Sequence, residues 1–147
     1  MARRPHGCNR LVAPVAVMAA VALASCSART VTAFRLQHDA EQVQSLAADG
    51  ALLALGARRG DVTDAFVRVH AAELAAEAED LRTVLASADP GPARASATAA
   101  VVRLSGRVAA QLDALRRRPG DRPLAASVHT TLDGIARTAE RIAGRTS

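Results

Sequence analysis

The sequence predicts an all-α protein: an up-down-up-down antiparallel four-helix bundle that follows an N-terminal leader. Three observations lead there. From residue 31 onward, apolar side chains recur every three or four positions, the step that keeps them on one side of an α-helix. Three short clusters rich in Gly, Pro and Asp cut this pattern into four segments of similar length. No stretch alternates apolar and polar residues for long enough to form a strand.

The first helix is expected over about 31–56, with Leu36, Val43, Leu46 and Leu53 on one side, and Gly56-Ala57-Arg58-Arg59-Gly60-Asp61 closes it. The second is expected over about 62–87, with Val62, Phe66, His70, Leu74, Ala78, Leu81 and Leu85 as its apolar stripe. Asp61 is placed to cap it, and Asp64, three residues on, resembles the acid of a capping box with a shorter side chain. After Asp89-Pro90-Gly91-Pro92 the third helix runs over about 92–117, with Ala97, Val101, Leu104, Val108, Leu112 and Leu115 in register. Pro92 suits its first turn. After Pro119-Gly120-Asp121-Arg122-Pro123 the fourth runs over about 123–143, on Leu124, Val128, Leu132, Ile135, Ala139 and Ile142. Helices of about 25 residues make a bundle about 38 Å long. Many facing positions are Ala, and Gly106 and Gly134 lie inside helices, so a narrow, dry core is expected. Each interior Gly costs about 1 kcal/mol against Ala. The two rings, Phe34 and Phe66, are both expected on core stripes.

The leader is of another kind. Met1 to Arg10 carries three Arg and no acid, and an apolar run from Leu11 to Leu23 follows, broken only by Pro14. That run is shorter than the ~20 residues a spanning helix wants. A charged start, a short apolar run and then small residues form the layout of a secretory signal. Leu23-Ala24-Ser25-Cys26 resembles the lipobox of bacterial lipoproteins, in which a Leu stands three residues before an obligatory Cys with small residues between. The resemblance implies that Cys26 takes a diacylglyceryl group on sulfur. It also implies that the lipoprotein signal peptidase cuts between Ser25 and Cys26. The mature chain would then begin at Cys26, lipid-anchored at the extracytoplasmic face of a bacterial membrane. Two acyl chains supply the two signals that stable anchoring needs. The chain then divides into a signal peptide (1–25), a lipidated tether (26–30) and a bundle domain (31–147). Pro5-His6-Gly7 after Arg3-Arg4 does not continue a twin-arginine pattern. Cys8 falls in the part removed, so the mature fold would depend on packing alone, with no disulfide.

Composition narrows the function. Of 147 residues half are hydrophobic, yet there are only two Phe and no Trp or Tyr. All 19 basic residues are Arg, the mark of a GC-rich bacterial genome such as an actinobacterial one. So few rings weigh against modules that stack nucleic-acid bases and against haem or flavin pockets. Export would also separate the protein from the chromosome. No nucleic acid and no cofactor is therefore expected. Charge divides along the chain: residues 26–91 hold six Arg against ten acids, and residues 92–147 hold ten Arg against four. An acidic hairpin facing a basic one favours pairing within the molecule, or between two molecules.

Catalytic chemistry is sparse. The one Cys of the mature chain is assigned to the lipid, and there is no nucleophile elbow, phosphate-binding loop or dinucleotide fingerprint. Ser105-Gly106 is an isolated dipeptide in a helical pattern. The expected protein is not an enzyme. His70, Glu73 and Glu77 lie together on the second helix, where His38 and His129 are available to join them. A di-metal bundle centre wants repeated acids on the other helices, and the third helix offers only Asp113. No metal is therefore assigned, and Glu77, Glu79 and Asp80 are expected on a solvated face.

The expectation is a membrane-anchored, non-catalytic interaction or structural module of the cell envelope. The alternative is a bundle that binds a small ligand or metal as a sensor accessory. The bundle topology places one candidate site. The start of the first helix, the Asp89–Pro92 loop and the end of the fourth helix share one pole, next to the anchor. The far pole collects Arg58, Arg59, Arg116, Arg117, Arg118 and Arg122 against Asp61, Asp113 and Asp121. Cations at helix C-termini complement the helix dipole. Six Arg exceed what two helix ends need, and Arg grips phosphate and carboxylate bidentately. This pole is the candidate contact for an anionic envelope polymer or an acidic protein.

Overall fold

The computed structural model describes residues 30–146. The expected signal peptide, the expected cleavage site and Cys26 lie outside the described residues. The rest is an antiparallel four-helix bundle.

Helix α1 (Ala33–Arg59) starts at Thr32, whose Oγ1 accepts the Arg35 amide at 3.1 Å. It ends at Gly60, whose φ of 79° is one a side chain would resist. There the Gly60 amide donates to the Ala57 carbonyl and the Asp61 amide to the Gly56 carbonyl, satisfying the last turn. Helix α2 (Asp64–Ala86) is capped by Thr63, whose Oγ1 accepts the Phe66 amide at 3.2 Å. This corrects the expected cap at Asp61 and the capping box with Asp64: α2 begins two residues later than that reading requires, so Thr63 holds the N-cap position and Asp64 is the first helical residue. Helix α3 (Gly91–Arg117) follows Asp89, whose Oδ1 accepts the Gly91 amide at 3.0 Å. Helix α4 (Arg122–Thr146) is capped by Asp121, whose Oδ1 accepts the Leu124 amide at 2.9 Å. No helix among the described residues is long and apolar enough to cross a membrane.

The apolar stripes of α1, α3 and α4 are buried as their spacing predicts, apart from Ala97 and Leu124, which are half-buried. The stripe of α2 is displaced at its start. Val67 and Ala71 are buried, while Phe66 is 46% exposed and His70 is only half-buried. Rows 66/70 and 67/71 on α2, the first continuing from Val62 in the loop before it, are both apolar enough to serve. The smaller Val67 and Ala71 take the core, and Phe66 and His70 fall at its edge. Phe34 is 81% exposed, so neither ring is a core residue.

The tightest contacts join the two halves of the chain rather than lying within either. α1 packs most extensively against α4, and α2 against α3. α1 also meets α3 across the short diagonal, while α2 and α4 do not approach. A small residue makes the centre possible: a Cβ on Gly50 would lie 2.9 Å from both Leu112 Cδ2 and Leu132 Cδ1. α3 and α4 thus close on α1 at one glycine. Gly106 sits beside the Arg82 stem of α2, and a Cβ at Gly134 would meet nothing within 4 Å.

Both poles are defined by contacts. At one, the Val31 amide donates to the Asp89 carbonyl at 3.0 Å, joining the segment just before α1 to the α2–α3 loop. At the other, a Cβ on Gly60 would lie 3.5 Å from the Arg122 guanidinium, and one on Gly120 would lie 3.5 Å from Asp64 Oδ2. The α1–α2 and α3–α4 loops therefore meet there.

Candidate functional site

All six Arg of the predicted far pole are exposed, and the helix ends bring them to one end of the bundle. They divide into two sets of three. Arg116 Nη2 contacts Asp113 Oδ1 at 2.7 Å, Arg117 pairs with Asp113 Oδ2, and Arg118 Nη1 reaches Asp121 Oδ2 at 3.4 Å. The hydrogen bond from Arg116, with Arg117 alongside, holds the Asp113 carboxyl below the usual carboxylate range. Arg58, Arg59 and Arg122 have no carboxylate partner among the described residues. Asp64 was not counted at this pole from the sequence, yet it stands beside Gly120 and adds a fourth acid. Six Arg against Asp61, Asp64, Asp113 and Asp121 leave a net charge of +2. An anion arriving here meets three unengaged guanidiniums, each able to bind two oxygens at once.

The expected pairing between acidic and basic halves takes another form. α2 carries two Arg and five acids, and its tight partner α3 carries five Arg and one acid. Yet every ion pair among the described residues is local, three or four positions apart. Arg82, for instance, turns to Glu79 on its own helix, at 2.8 Å, and lowers that carboxyl's pKa. Short local pairs cost less side-chain ordering than pairs across a seam, so opposite charge on α2 and α3 acts only at long range.

The histidines do not converge. His70 Nδ1 is 3.0 Å from Glu73 Oε2, and its ring lies 4.0 Å from the Phe66 ring at a 55° tilt. Glu77 lines the same groove between α1 and α2. His38 is exposed on α1, and His129 Nδ1 contacts the Ala51 carbonyl at 3.0 Å, which requires the proton on Nδ1. No group of three His, Cys, Asp or Glu suited to a metal occurs among the described residues. Ser105 is fully buried, and its hydroxyl has no hydrogen-bond partner; the same holds for the Thr98 hydroxyl.

Asp39 was not singled out from the sequence. Its carboxylate is 1% exposed and receives the Arg35 Nε–H at 3.0 and 3.2 Å. Both residues line a cavity of about 440 Å³ at the pole where α1 begins, with Thr30, Val31, Leu85 and Ser87. Its register could have revealed it, since Asp39 lies three residues after Leu36 and four before Val43 on the buried face of α1.

The fold and these sites define a class: an all-α antiparallel bundle whose distinctive chemistry is surface charge. No protein-family model matches the chain, and no curated protein and no solved structure matches it.

Proposed function

We propose that this chain is a lipoprotein of a bacterial cell envelope, anchored through Cys26 at the extracytoplasmic face of the membrane. Its bundle acts as a non-catalytic module whose Arg pole engages an anionic envelope polymer or acidic protein. The observation that carries this reading is Leu23-Ala24-Ser25-Cys26 at the end of a charged and then apolar leader. The pole-to-pole layout agrees with it. Thr30 is four residues beyond Cys26, a tether of at most about 14 Å, and it lies at the pole opposite the Arg. The anchor would hold that pole at the bilayer, with exposed Phe34 beside it, and direct the guanidiniums outward.

Metabolic labelling with a palmitate analogue tests the anchor. The parent chain takes the label and fractionates with membranes, and Cys26→Ala takes none and leaves the membrane fraction. Equal labelling of the two chains would overturn the lipoprotein reading.

A further inference from the structure

A second surface carries an independent inference. α1 and α2 pack lightly along their shared seam and leave a groove of about 520 Å³ between them. Its floor is apolar: Leu52 is 65% and Phe66 46% exposed, beside half-buried Val62 and Leu74. Its rim is acidic, formed by Asp49 of α1 and by Glu73 and Glu77 of α2. No Arg pairs with any of these three carboxylates; Glu73 meets only His70. Phe66, His70, Glu73 and Glu77 repeat at steps of four, three and four, which places them along one face of α2 over about 17 Å. That length matches about three turns of another helix.

The bundle does not fill this groove from its own described residues, and a second copy is a poor occupant. Two grooves brought face to face would oppose acid to acid. The α3–α4 side is basic, but every large apolar side chain exposed among the described residues lies on α1 or α2. The α3–α4 side of a second copy therefore has no large apolar side chain for the floor. The remaining match is a helix with an apolar stripe flanked by Arg or Lys, which covers Leu52 and Phe66 and meets the acidic rim. We propose that the α1–α2 groove docks a cationic amphipathic helix of a partner protein. This does not depend on the anchor or on the Arg pole.

The test uses the full chain in a fixed concentration of neutral detergent with detergent alone as the blank, so that it stands whether or not the chain carries a lipid. The probe is a labelled peptide of about five helical turns, with Leu at i, i+3, i+4 and i+7 and Arg on both flanks. Anisotropy should report saturable binding that weakens at least tenfold when Leu52→Asp and Phe66→Asp are combined. It should also weaken for Glu73→Gln with Glu77→Gln, which leaves the apolar floor intact and guards against loss of fold. A peptide with Glu in place of Arg should not bind. Absence of binding, equal binding of the Glu peptide, or parental affinity in both variants overturns the proposal. A doubling of mass that Phe66→Asp abolishes would assign the groove to a second copy and also overturn it.

Discussion

The seam between α1 and α4 and the seam between α1 and α2 share a helix and differ in kind. α1 packs most extensively against α4, and the contact includes Gly50 beneath the Leu132 side chain and the Ala51 carbonyl against His129. The missing side chain at Gly50 lets Leu132 of α4 approach α1, since a Cβ there would lie 2.9 Å from Leu132 Cδ1, and this seam is closed. Toward α2, the same helix presents Leu52 and Asp49 to Phe66, His70 and Glu73, and the seam stays open as a groove. The closed seam carries stability, and the open one is free to carry recognition.

This contrast can be broken or sharpened by substitution. Leu132→Ala in the closed seam should cost about 2–5 kcal/mol, since the side chain is fully buried. Leu52→Ala in the open seam should cost about 0.5 kcal/mol or less. Denaturant titration of both variants checks the pair, and similar losses would erase the distinction. The glycines give a smaller effect of opposite signs. Gly50→Val drives a branched side chain into Leu112 and Leu132 and should cost about 1–3 kcal/mol. Gly134→Ala meets open space and should gain about 0.5–1 kcal/mol by the same titration. The smallest effect lies at the Arg pole. The Asp113 carboxyl is depressed by Arg116 and Arg117, so its contribution is complete above the ordinary carboxylate pKa. It disappears as pH falls through the lowered value. Asp113→Asn should therefore lower the melting temperature slightly at pH 7, less so in high salt, and leave it unchanged in strong acid.

Much of the bundle was legible. Helix spacing and the Gly/Pro clusters place all four helices within a few residues of where they lie. Three buried stripes follow directly from the three-and-four rhythm. α2 misleads because Val62, Phe66 and His70 form an apolar-looking row next to Val67 and Ala71. Periodicity alone does not choose between adjacent rows; the packing of α3 does. The tight α1–α4 pairing was not legible either, since alanine is abundant on every helix and only the position of Gly50 singles out the crossing. The six Arg of the far pole were legible from topology, because antiparallel helices put alternate loops together. Their division into paired and unpaired sets was not, since it depends on where Asp113 and Asp121 turn.

That division identifies the groups to remove: Arg58, Arg59 and Arg122, at the pole away from the start of α1, are the guanidiniums proposed to bind anions. The direct measurement is co-sedimentation of the protein with purified cell wall across a salt series. The parent should be retained at low salt and released as salt rises. Arg58→Gln, Arg59→Gln and Arg122→Gln combined should abolish most of that retention at unchanged helicity, and the combined Arg116, Arg117 and Arg118 to Gln variant should lose less. If the first variant sediments as the parent does, or if the parent is not retained at all, the Arg pole is two helix ends and no binding site.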